Sequence, residues 1–374
     1  MTQDSGGRAP IPFMSLVPGD DAADIRRAID RVVASGWFVL GPEVEAFEIE
    51  FAAASGAARA VGVGTGTDAI ALALRALGIG AGDEVITAPL SAAYTALAIM
   101  MAGARPVFAD IDPIRLTIDP DRVAAAIGPR TRAIVPVHLY GQPADMRAIA
   151  DIAARHNLAV VEDCCQAHLA TANGQPVGTI GAAGAFSFYP TKNLGALGDG
   201  GAVITNDPAL AAAVKRLRNG GQTDRYHHQE AGINSRLDEM QAAILRARLT
   251  RLRAWTDRRR ALAARYRSRL PAAIDVPAEQ DTGHVYHLFV VRSATRSALQ
   301  AHLAAGGVET LIHYPVPVPR QPALAPADPV DCPVADRACD EVLSLPLHPR
   351  LRDDEIDRIA AAVNAFERTD ECVH

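Results

Sequence analysis

Residues 184–206 read GAFSFYPTKNLGALGDGGAVITN, two apolar strand-like runs separated by a glycine-rich loop. The first run, Ala185–Tyr189, ends at Pro190, and the second covers Ala202–Thr205. Proline and glycine interrupt regular structure, so Lys192 should project from a loop between two core strands. A lysine desolvated there can be a Schiff-base nucleophile, because burial disfavours its ammonium form. A solvated surface lysine is the competing interpretation.

The composition excludes several classes of protein. The chain has 374 residues, 49% of them hydrophobic and 21% charged, with a formal net charge of −6 and no polybasic run. Nucleic acid and anionic membranes are therefore poor candidates for a partner. The apolar stretches are too short to span a bilayer and Met1–Pro10 lacks the pattern of a signal peptide, so we expect a soluble, cytoplasmic protein. Five cysteines with no Cys-x-x-Cys spacing fit reduced thiols and indicate no metal site.

Strand-like and helix-like patterns alternate between residues 60 and 162. This alternation predicts an α/β fold with a mostly parallel central sheet flanked by helices. Ligands of such sheets bind at the carboxyl ends of the strands, where Thr67, Asp163 and Lys192 should meet. After residue 271 the pattern changes to that of a smaller α+β unit. We predict two domains, residues 1–250, which include an N-terminal arm over residues 1–19, and residues 251–374.

A glycine turn joins the predicted strand at residues 60–64 to the helix at residues 69–77. Such a turn leaves free N–H groups at a helix N-terminus, and the Thr67 hydroxyl could add a further donor to a phosphate. An ordinary capped helix explains the same residues.

Asp163 follows Glu162 and the wholly apolar run at residues 158–161, which places its carboxylate at the end of a buried strand. An unpaired charge there would be costly, so Asp163 needs a cationic partner. The protonated ring nitrogen of a pyridoxal cofactor is one candidate. A helix cap or a buried salt bridge is the alternative.

Four ordered motifs resemble those of the DegT/DnrJ/EryC1/StrS family of pyridoxal-phosphate-dependent sugar aminotransferases. They are GTDAI at 66–70, EDCCQAH at 162–168, SFYPTKNLGA at 187–196 and NSRLDEMQAA at 234–243. The resemblance covers nearly the whole chain, and it extends to IHYP at 312–315 and LSLPL at 343–347. It implies the aspartate aminotransferase fold, fold type I, with a smaller C-terminal α+β domain.

The resemblance also implies a site for pyridoxal 5′-phosphate. Lys192 matches the lysine that binds the cofactor covalently, Asp163 the carboxylate on the pyridine nitrogen, and Gln166 the side chain near the phenolic oxygen. The matching phosphate ligands are Gly66, Thr67 and Ser187, together with Asn234 from the neighbouring subunit. A shared site of this kind implies an obligate homodimer.

Two positions depart from the family pattern. Ala92 stands where the family usually has an aromatic residue that stacks on the pyridine ring, so Tyr94 or another group must cover that face. Cys164 and Cys165 stand where small residues are typical.

The implied reaction is a ping-pong transamination of a nucleotide-linked keto-sugar, with L-glutamate as amino donor and Lys192 as acid and base. The stretch GINSRLDE at 232–239 is most similar to members that aminate C3 of dTDP-3-keto-6-deoxyhexoses. Tyr189, His313 and Tyr314 flank matched motifs and are candidate substrate residues, with structural packing equally open for each.

Other functions stay open at this point. A C4 sugar aminotransferase or a keto-cyclitol aminotransferase of the same family would use the same motifs. A non-catalytic sensor that binds pyridoxal phosphate comes from a different class, although no added DNA-binding segment is present. Family members that dehydrate C3 replace the lysine with histidine, and Lys192 argues against that activity.

Overall fold

The structure is a computed structural model that describes residues 9–324 and 331–370, with side chains described as far as Phe366. Its helices are α1 (Ala22–Ser35), α2 (Pro42–Ala54), α3 (Gly66–Ala76), α4 (Tyr94–Met101), α5 (Pro120–Ala126), α6 (Met146–His156), α7 (Pro208–Leu217), α8 (Glu239–Leu249), α9 (Leu252–Arg269), α10 (Arg296–Ala305), α11 (Pro333–Glu341) and α12 (Asp353–Asp370). Its strands are β1 (Arg59–Val63), β2 (Glu84–Thr87), β3 (Arg105–Phe108), β4 (Thr131–Val135), β5 (Ala159–Asp163), β6 (Thr171–Ala172), β7 (Gln175–Pro176), β8 (Ala183–Ser187), β9 (Gly201–Thr205), β10 (Gln222–Asp224), β11 (His227–His228), β12 (Phe289–Arg292) and β13 (Val342–Leu345).

Seven strands form the central sheet in the order β1-β9-β8-β5-β4-β2-β3. The pairs from β8 through β5, β4 and β2 to β3 are all parallel. Strand β9 runs antiparallel to both β8 and β1. The predicted mostly parallel sheet is therefore confirmed.

Neighbouring residues of the central strands belong to two different hydrophobic cores. Ile86 and Ile134 pack in one core, whereas Val85 and Val135 pack in the other. Side chains of a strand alternate between the two faces of a sheet. Both faces are therefore covered, which explains why these strands read as continuous apolar runs.

The C-terminal part has a core of its own. Apart from Ile11, the buried members of this third core lie between residues 262 and 366. They surround the antiparallel pair of β12 with β13, and helices α9 and α12 pack on each other. The C-terminal part therefore has the predicted α+β composition. The domain boundary at residue 250 stays a prediction.

Several element predictions in this region are wrong. The sequence pattern over residues 232–269 predicts one long helix, but the structure has two helices, α8 and α9, which are separated at Thr250 and Arg251. The pattern over residues 309–314 predicts a strand, but these residues form one bridge, between Leu311 and Ser344. The sequence also predicts a proline-rich loop over residues 315–329. Part of this loop and of the predicted arm, residues 325–329 and 1–8, lies outside the described residues. In the part of the chain that is described, no helix has the length and apolarity needed to cross a membrane.

Candidate active site

The carboxyl ends of two neighbouring strands and the start of one helix bring the predicted cofactor residues together. Asp163 is the last residue of β5 and pairs in parallel with Ala185 of β8. Ser187 ends β8, and Gly66 begins α3. Parallel pairing aligns the ends of β5 and β8, so these groups lie at one edge of the sheet, as the sequence predicts.

Asp163 is buried and accepts hydrogen bonds from neutral donors. Its Oδ2 accepts a bond of 2.7 Å from the Thr95 hydroxyl, and its Oδ1 accepts one of 3.1 Å from the Cys165 backbone N–H. Within the described residues, no lysine or arginine forms a salt bridge with it. A buried carboxylate held only by neutral donors leaves a place for a cationic group.

Lys192 lies in a tight loop that follows β8. Its backbone N–H donates to the Tyr189 carbonyl at 2.8 Å, and the Ala196 N–H donates to the Phe188 carbonyl at 2.7 Å. Gly195 is required in this loop because a methyl group there would lie 2.5 Å from the Pro190 carbonyl oxygen.

The electrostatic surroundings of Lys192 support a nucleophilic role. Burial lowers the pKa of the amine below its ordinary value, while Cys165 and Asp163 oppose this shift. A lowered pKa increases the fraction of free amine, which is the form that can attack a carbonyl group or accept a proton.

Gly66 allows the start of α3 to approach β8 closely. A methyl group at this position would lie 2.7 Å from both the Cys165 Sγ and the Ser187 Cβ. Thr65 caps the helix by accepting a hydrogen bond of 3.0 Å from the Asp68 N–H. The helix therefore begins at Gly66, inside the predicted turn and before the predicted start at Ala69, and Gly66 and Thr67 present the first amides, which have no acceptor within a helix.

Gln166 links the cofactor residues to the candidate substrate residues. Its Oε1 accepts a hydrogen bond of 2.7 Å from the Tyr140 N–H, and its Nε2 donates to the Tyr314 hydroxyl at 3.1 Å. The Tyr140 hydroxyl in turn donates to the His313 carbonyl. Burial raises the pKa of Tyr314 to about 12, so this hydroxyl stays protonated at neutral pH.

His313 is held on two sides. Its ring stacks on Phe13 at 5.7 Å between centroids, and its Nδ1 lies 2.9 Å from the Ser344 hydroxyl. Burial, and after it the charge of Lys192, lowers the pKa of His313 to about 4. His313 therefore lies within reach of the Lys192 charge and Tyr314 near Asp163, whereas Tyr189 is 51% exposed.

Asn234 and Tyr94 both face outward. Asn234 is exposed, but Ser235 next to it donates to Asp68 at 2.8 Å, which places Asn234 beside the start of α3. Tyr94 is 65% exposed and immediately precedes Thr95, and its proximity contributes to the raised pKa of Tyr314. Ala92 is partly buried two residues before Tyr94.

A buried cluster of His138, Glu162 and Cys164 has the composition of a metal site. The His138 Nδ1 accepts from the Ala144 N–H at 3.1 Å, so its Nε2 carries the proton and donates to Glu162 at 3.0 Å. Both Glu162 oxygens also accept backbone N–H groups, from Gly178, Ile180 and Gly181. These bonds give Glu162 a structural role, which is to hold the segment that leads into β8.

The sequence did not assign two residues that contact Asp163. Thr95 carries a hydroxyl in the first turn of a helix that is apolar after this residue. That hydroxyl was the available signal in the sequence. Cys165 stood out only as a departure from the family pattern. Its Sγ lies against Gly66, and burial raises the pKa of the thiol well above its ordinary value.

Comparison with known proteins agrees with this geometry. The model of the DegT/DnrJ/EryC1/StrS aminotransferase family matches residues 20–364. The chain belongs to this family. It is an aminotransferase with the family's α/β fold, as the motifs predicted.

Two relatives and one solved structure illustrate the similarity. The dTDP-3-amino-3,4,6-trideoxy-alpha-D-glucose transaminase of Streptomyces venezuelae is 48% identical over 96% of this chain and 97% of its own length. The erythromycin biosynthesis sensory transduction protein EryC1 of Saccharopolyspora erythraea is 48% identical over 95% of this chain and 99% of its own length. The crystal structure of S. venezuelae DesV superimposes with a TM-score of 0.94 at 47% identity, covering 96% of this chain and 99% of that one.

The residues present fit the family cofactor. Asp163 offers a buried carboxylate without a salt bridge in the described part of the chain, which suits a protonated ring nitrogen. The amides of Gly66 and Thr67 at the start of α3 suit a phosphate. Lys192 supplies the amine that binds an aldehyde.

Proposed function

We propose that this chain transfers an amino group from L-glutamate to a nucleotide-linked keto-sugar, with pyridoxal 5′-phosphate as cofactor. The observation that carries the proposal is the pairing of Lys192, whose pKa burial lowers, with Asp163, whose carboxylate only neutral donors hold. This pair supplies the two groups that pyridoxal chemistry requires of a protein.

Bound pyridoxal phosphate supplies an electron-withdrawing ring that stabilises negative charge on the α-carbon of an amino substrate. Asp163 holds the ring nitrogen protonated, and Thr95 orients the carboxylate through its hydrogen bond. Gln166 contributes its side-chain amide beside the phenolic oxygen. Gly66, Thr67 and Ser187 hold the phosphate, and Asn234 reaches it from the neighbouring subunit of a homodimer.

Lys192 moves the proton. As a free amine, its Nζ would remove the proton from the α-carbon of glutamate and deliver it to the C4′ carbon of the cofactor. In the second half-reaction it would carry a proton from C4′ to the carbon of the sugar that becomes aminated. Burial favours the free amine, so the residue can begin as a base. The two half-reactions use one site in turn, which gives ping-pong kinetics.

The sugar we propose is a dTDP-3-keto-6-deoxyhexose, aminated at C3. The name of the S. venezuelae relative, a dTDP-3-amino sugar transaminase, supports this substrate. His313 lies near Lys192 and Tyr314 near Asp163, and Tyr189 is exposed beside the lysine loop, so all three can contact the sugar. We place the reaction in the cytoplasm, where nucleotide-linked sugars are made.

An absorbance spectrum tests the proposal. The purified protein with pyridoxal phosphate should show the visible band of the lysine-bound cofactor, L-glutamate should convert this band to that of the aminated cofactor, and the dTDP-keto-sugar should restore it. Absence of a visible band after addition of pyridoxal phosphate would overturn the cofactor site. Faster turnover of the 4-keto isomer or of a keto-cyclitol would overturn the C3 assignment.

A sensor of pyridoxal phosphate is the second candidate function. The name of the EryC1 relative, a sensory transduction protein, favours it. A sensor would bind the cofactor through Lys192 yet leave the visible band unchanged with every amino donor. The glutamate step of the same experiment therefore separates the two functions.

A further inference from the structure

A cavity of about 320 Å³ lies on one side of the loop that carries Lys192. Residues 14–17 and 19–21 form one wall, and residues 190–193 and 195–197 of the lysine loop form another. Arg259 of α9 and the segment His348–Arg350 also line it. Lys192 lines it too, whereas Asp163 and Gln166 do not, so the cavity extends from the lysine away from these two cofactor residues.

Arg259 brings an unneutralised positive charge to this cavity. The side chain is 4% exposed, and one of its terminal nitrogens donates to the carbonyls of Tyr286, His287 and Leu347. Its Nε has no hydrogen-bond partner, and no salt bridge reaches it among the described residues. Burial lowers the pKa of the guanidinium to about 10, which leaves it cationic at neutral pH.

His348 is a second residue of the cavity wall with buried nitrogens that have no hydrogen-bond partner among the described residues. It is 8% exposed, and neither ring nitrogen has a hydrogen bond in the described part of the chain. Buried polar atoms are nearly always hydrogen-bonded, so such a group in a cavity wall is available to a polar ligand. Burial lowers the pKa of His348 to about 4, so the neutral ring can donate one hydrogen bond at neutral pH.

The remaining charges keep the cavity positive. Arg248 is paired with Asp21 at 2.8 Å, and the other acidic residue of the wall, Asp20, is paired with Arg251 at 3.2 Å. Arg350 donates to the carbonyls of Ser15 and Val17. The acidic groups are therefore already neutralised, whereas Arg259 and Arg350 are not, and an anion would complete the site.

We propose that this cavity binds a carboxylate of the amino donor, a dicarboxylic amino acid, through Arg259 and His348. The inference rests on the proposed transamination, and it names the part of the site that selects the donor. The volume is at the lower end of the roughly 300–1,000 Å³ range of ligand pockets, which suits an amino acid better than a whole nucleotide-linked sugar. The nucleotide diphosphate is the other anion that the positive charge could attract.

Glutarate is the probe, because it carries both carboxylates of glutamate but no amino group that could react. Its affinity for the cofactor-loaded protein is measured by calorimetry, with thymidine diphosphate in a parallel titration. Leu16 lines the cavity and is 50% exposed, so Leu16→Glu adds a negative charge at the mouth without disturbing the core. Leu16→Gln is the matched neutral variant, and Ile114→Glu places the same charge at an exposed site outside the cavity.

We expect wild type, Leu16→Gln and Ile114→Glu to bind glutarate with similar affinity, and Leu16→Glu to bind it about tenfold more weakly or worse. His348→Phe should also weaken binding while leaving the melting temperature unchanged or higher, because it removes a polar group that has no partner in the protein. If His348 had a purely structural role, its substitution would not weaken glutarate binding without also lowering the melting temperature.

Equal glutarate affinity in wild type and Leu16→Glu would overturn the proposal, as would binding of thymidine diphosphate alone with the same dependence on Leu16→Glu. Either result would leave the proposed transamination standing if glutamate still converts the visible band of the cofactor. Loss of that conversion in wild type, with glutarate still bound in the cavity, would instead count against the proposed function.

Discussion

The Thr95 hydroxyl donates a 2.7 Å hydrogen bond to the Oδ2 of Asp163, and both side chains are buried. Thr95 is in the first turn of α4, whereas Asp163 ends β5, so this bond fixes the carboxylate relative to a second element. The Cys165 N–H fixes the other oxygen. Asp163 is thus oriented before any cofactor arrives, which is the condition for holding a ring nitrogen in place.

Removing this hydroxyl should impair the cofactor more than the fold. Thr95→Val keeps the shape of the side chain but loses a hydrogen bond to a charged group, which contributes about 1.5–3 kcal/mol. We expect kcat/KM to fall about tenfold or more, with a shifted visible band of the bound cofactor. Thr95→Ser retains the hydroxyl and should keep most activity, and equal loss in both variants would contradict the role assigned to the bond.

A methyl group at Gly66 should close the phosphate end of the site. It would lie 2.7 Å from the Cys165 Sγ and the Ser187 Cβ, and overpacking of this kind costs about 1–3 kcal/mol. In a titration followed by absorbance, we expect Gly66→Ala to bind pyridoxal phosphate about tenfold more weakly or worse. Gly128→Ala is the control, because its methyl group would meet only the Glu84 Oε2 at 3.8 Å. Unchanged affinity in Gly66→Ala would contradict the assignment of this turn.

The covalent attachment point can be tested sharply, because the chain contains only two lysines, Lys192 and Lys215. Lys215 is half-exposed and forms a salt bridge with Glu48 at 3.1 Å. Borohydride reduction makes the bond between a lysine and the cofactor permanent, so mass spectrometry of peptides should find the cofactor on Lys192. Lys192→Ala should abolish both labelling and turnover, whereas Lys215→Ala should retain both. Labelling of Lys215 in the wild type would refute the scheme.

The sequence pattern predicts all seven strands of the central sheet, because each contains a short apolar run bounded by glycine, proline or polar residues. It fails at residues 232–269, where a helical pattern continues across the break at Thr250 and Arg251. It also misses β13, which follows α11 without an intervening turn residue. A local sequence pattern does not predict a helix break or a strand that depends on tertiary contacts.

The candidate active site, too, is predicted by the sequence only in part. Lys192, Asp163 and Gly66 follow predicted strands, so their convergence at one sheet edge follows from the topology. The bond from Thr95 to Asp163 joins residues 68 positions apart, and the unpartnered Nε of Arg259 depends on which carbonyls the rest of its guanidinium meets. No sequence periodicity or motif predicts either contact.

Stability should fall in acid partly through His313, whose pKa burial and the Lys192 charge lower to about 4. An unfolded chain binds the proton near the ordinary pKa of about 6.5. Between these values the unfolded state holds more protons, so the free energy of unfolding decreases as the pH falls from 6.5 to 4, by on the order of 2 kcal/mol. Urea unfolding of His313→Gln should show a shallower decline than wild type, and substitution of the exposed His156 by Gln should not. Parallel curves for all three proteins would exclude this contribution.

The proposed sharing of sites between subunits depends on Asn234. The side chain is exposed, and Ser235 anchors its backbone beside α3 by donating to Asp68 and accepting from the Gly64 N–H at 2.9 Å. If Asn234 serves the phosphate of the neighbouring subunit, mixing Lys192→Ala with Asn234→Ala subunits creates dimers in which one site has both native residues. We therefore expect activity to recover on mixing well above that of either variant alone.

The matched control for this mixing experiment combines both substitutions in one chain and mixes it with wild type. Each site of such a mixed dimer lacks one native residue if Asn234 acts across the interface, so the mixed dimers should be nearly inactive. If Asn234 acted within its own subunit, the wild-type chain of each mixed dimer would stay active and the first mixture would not recover. The two mixtures thus respond in opposite directions, and that reversal decides whether the active site is shared.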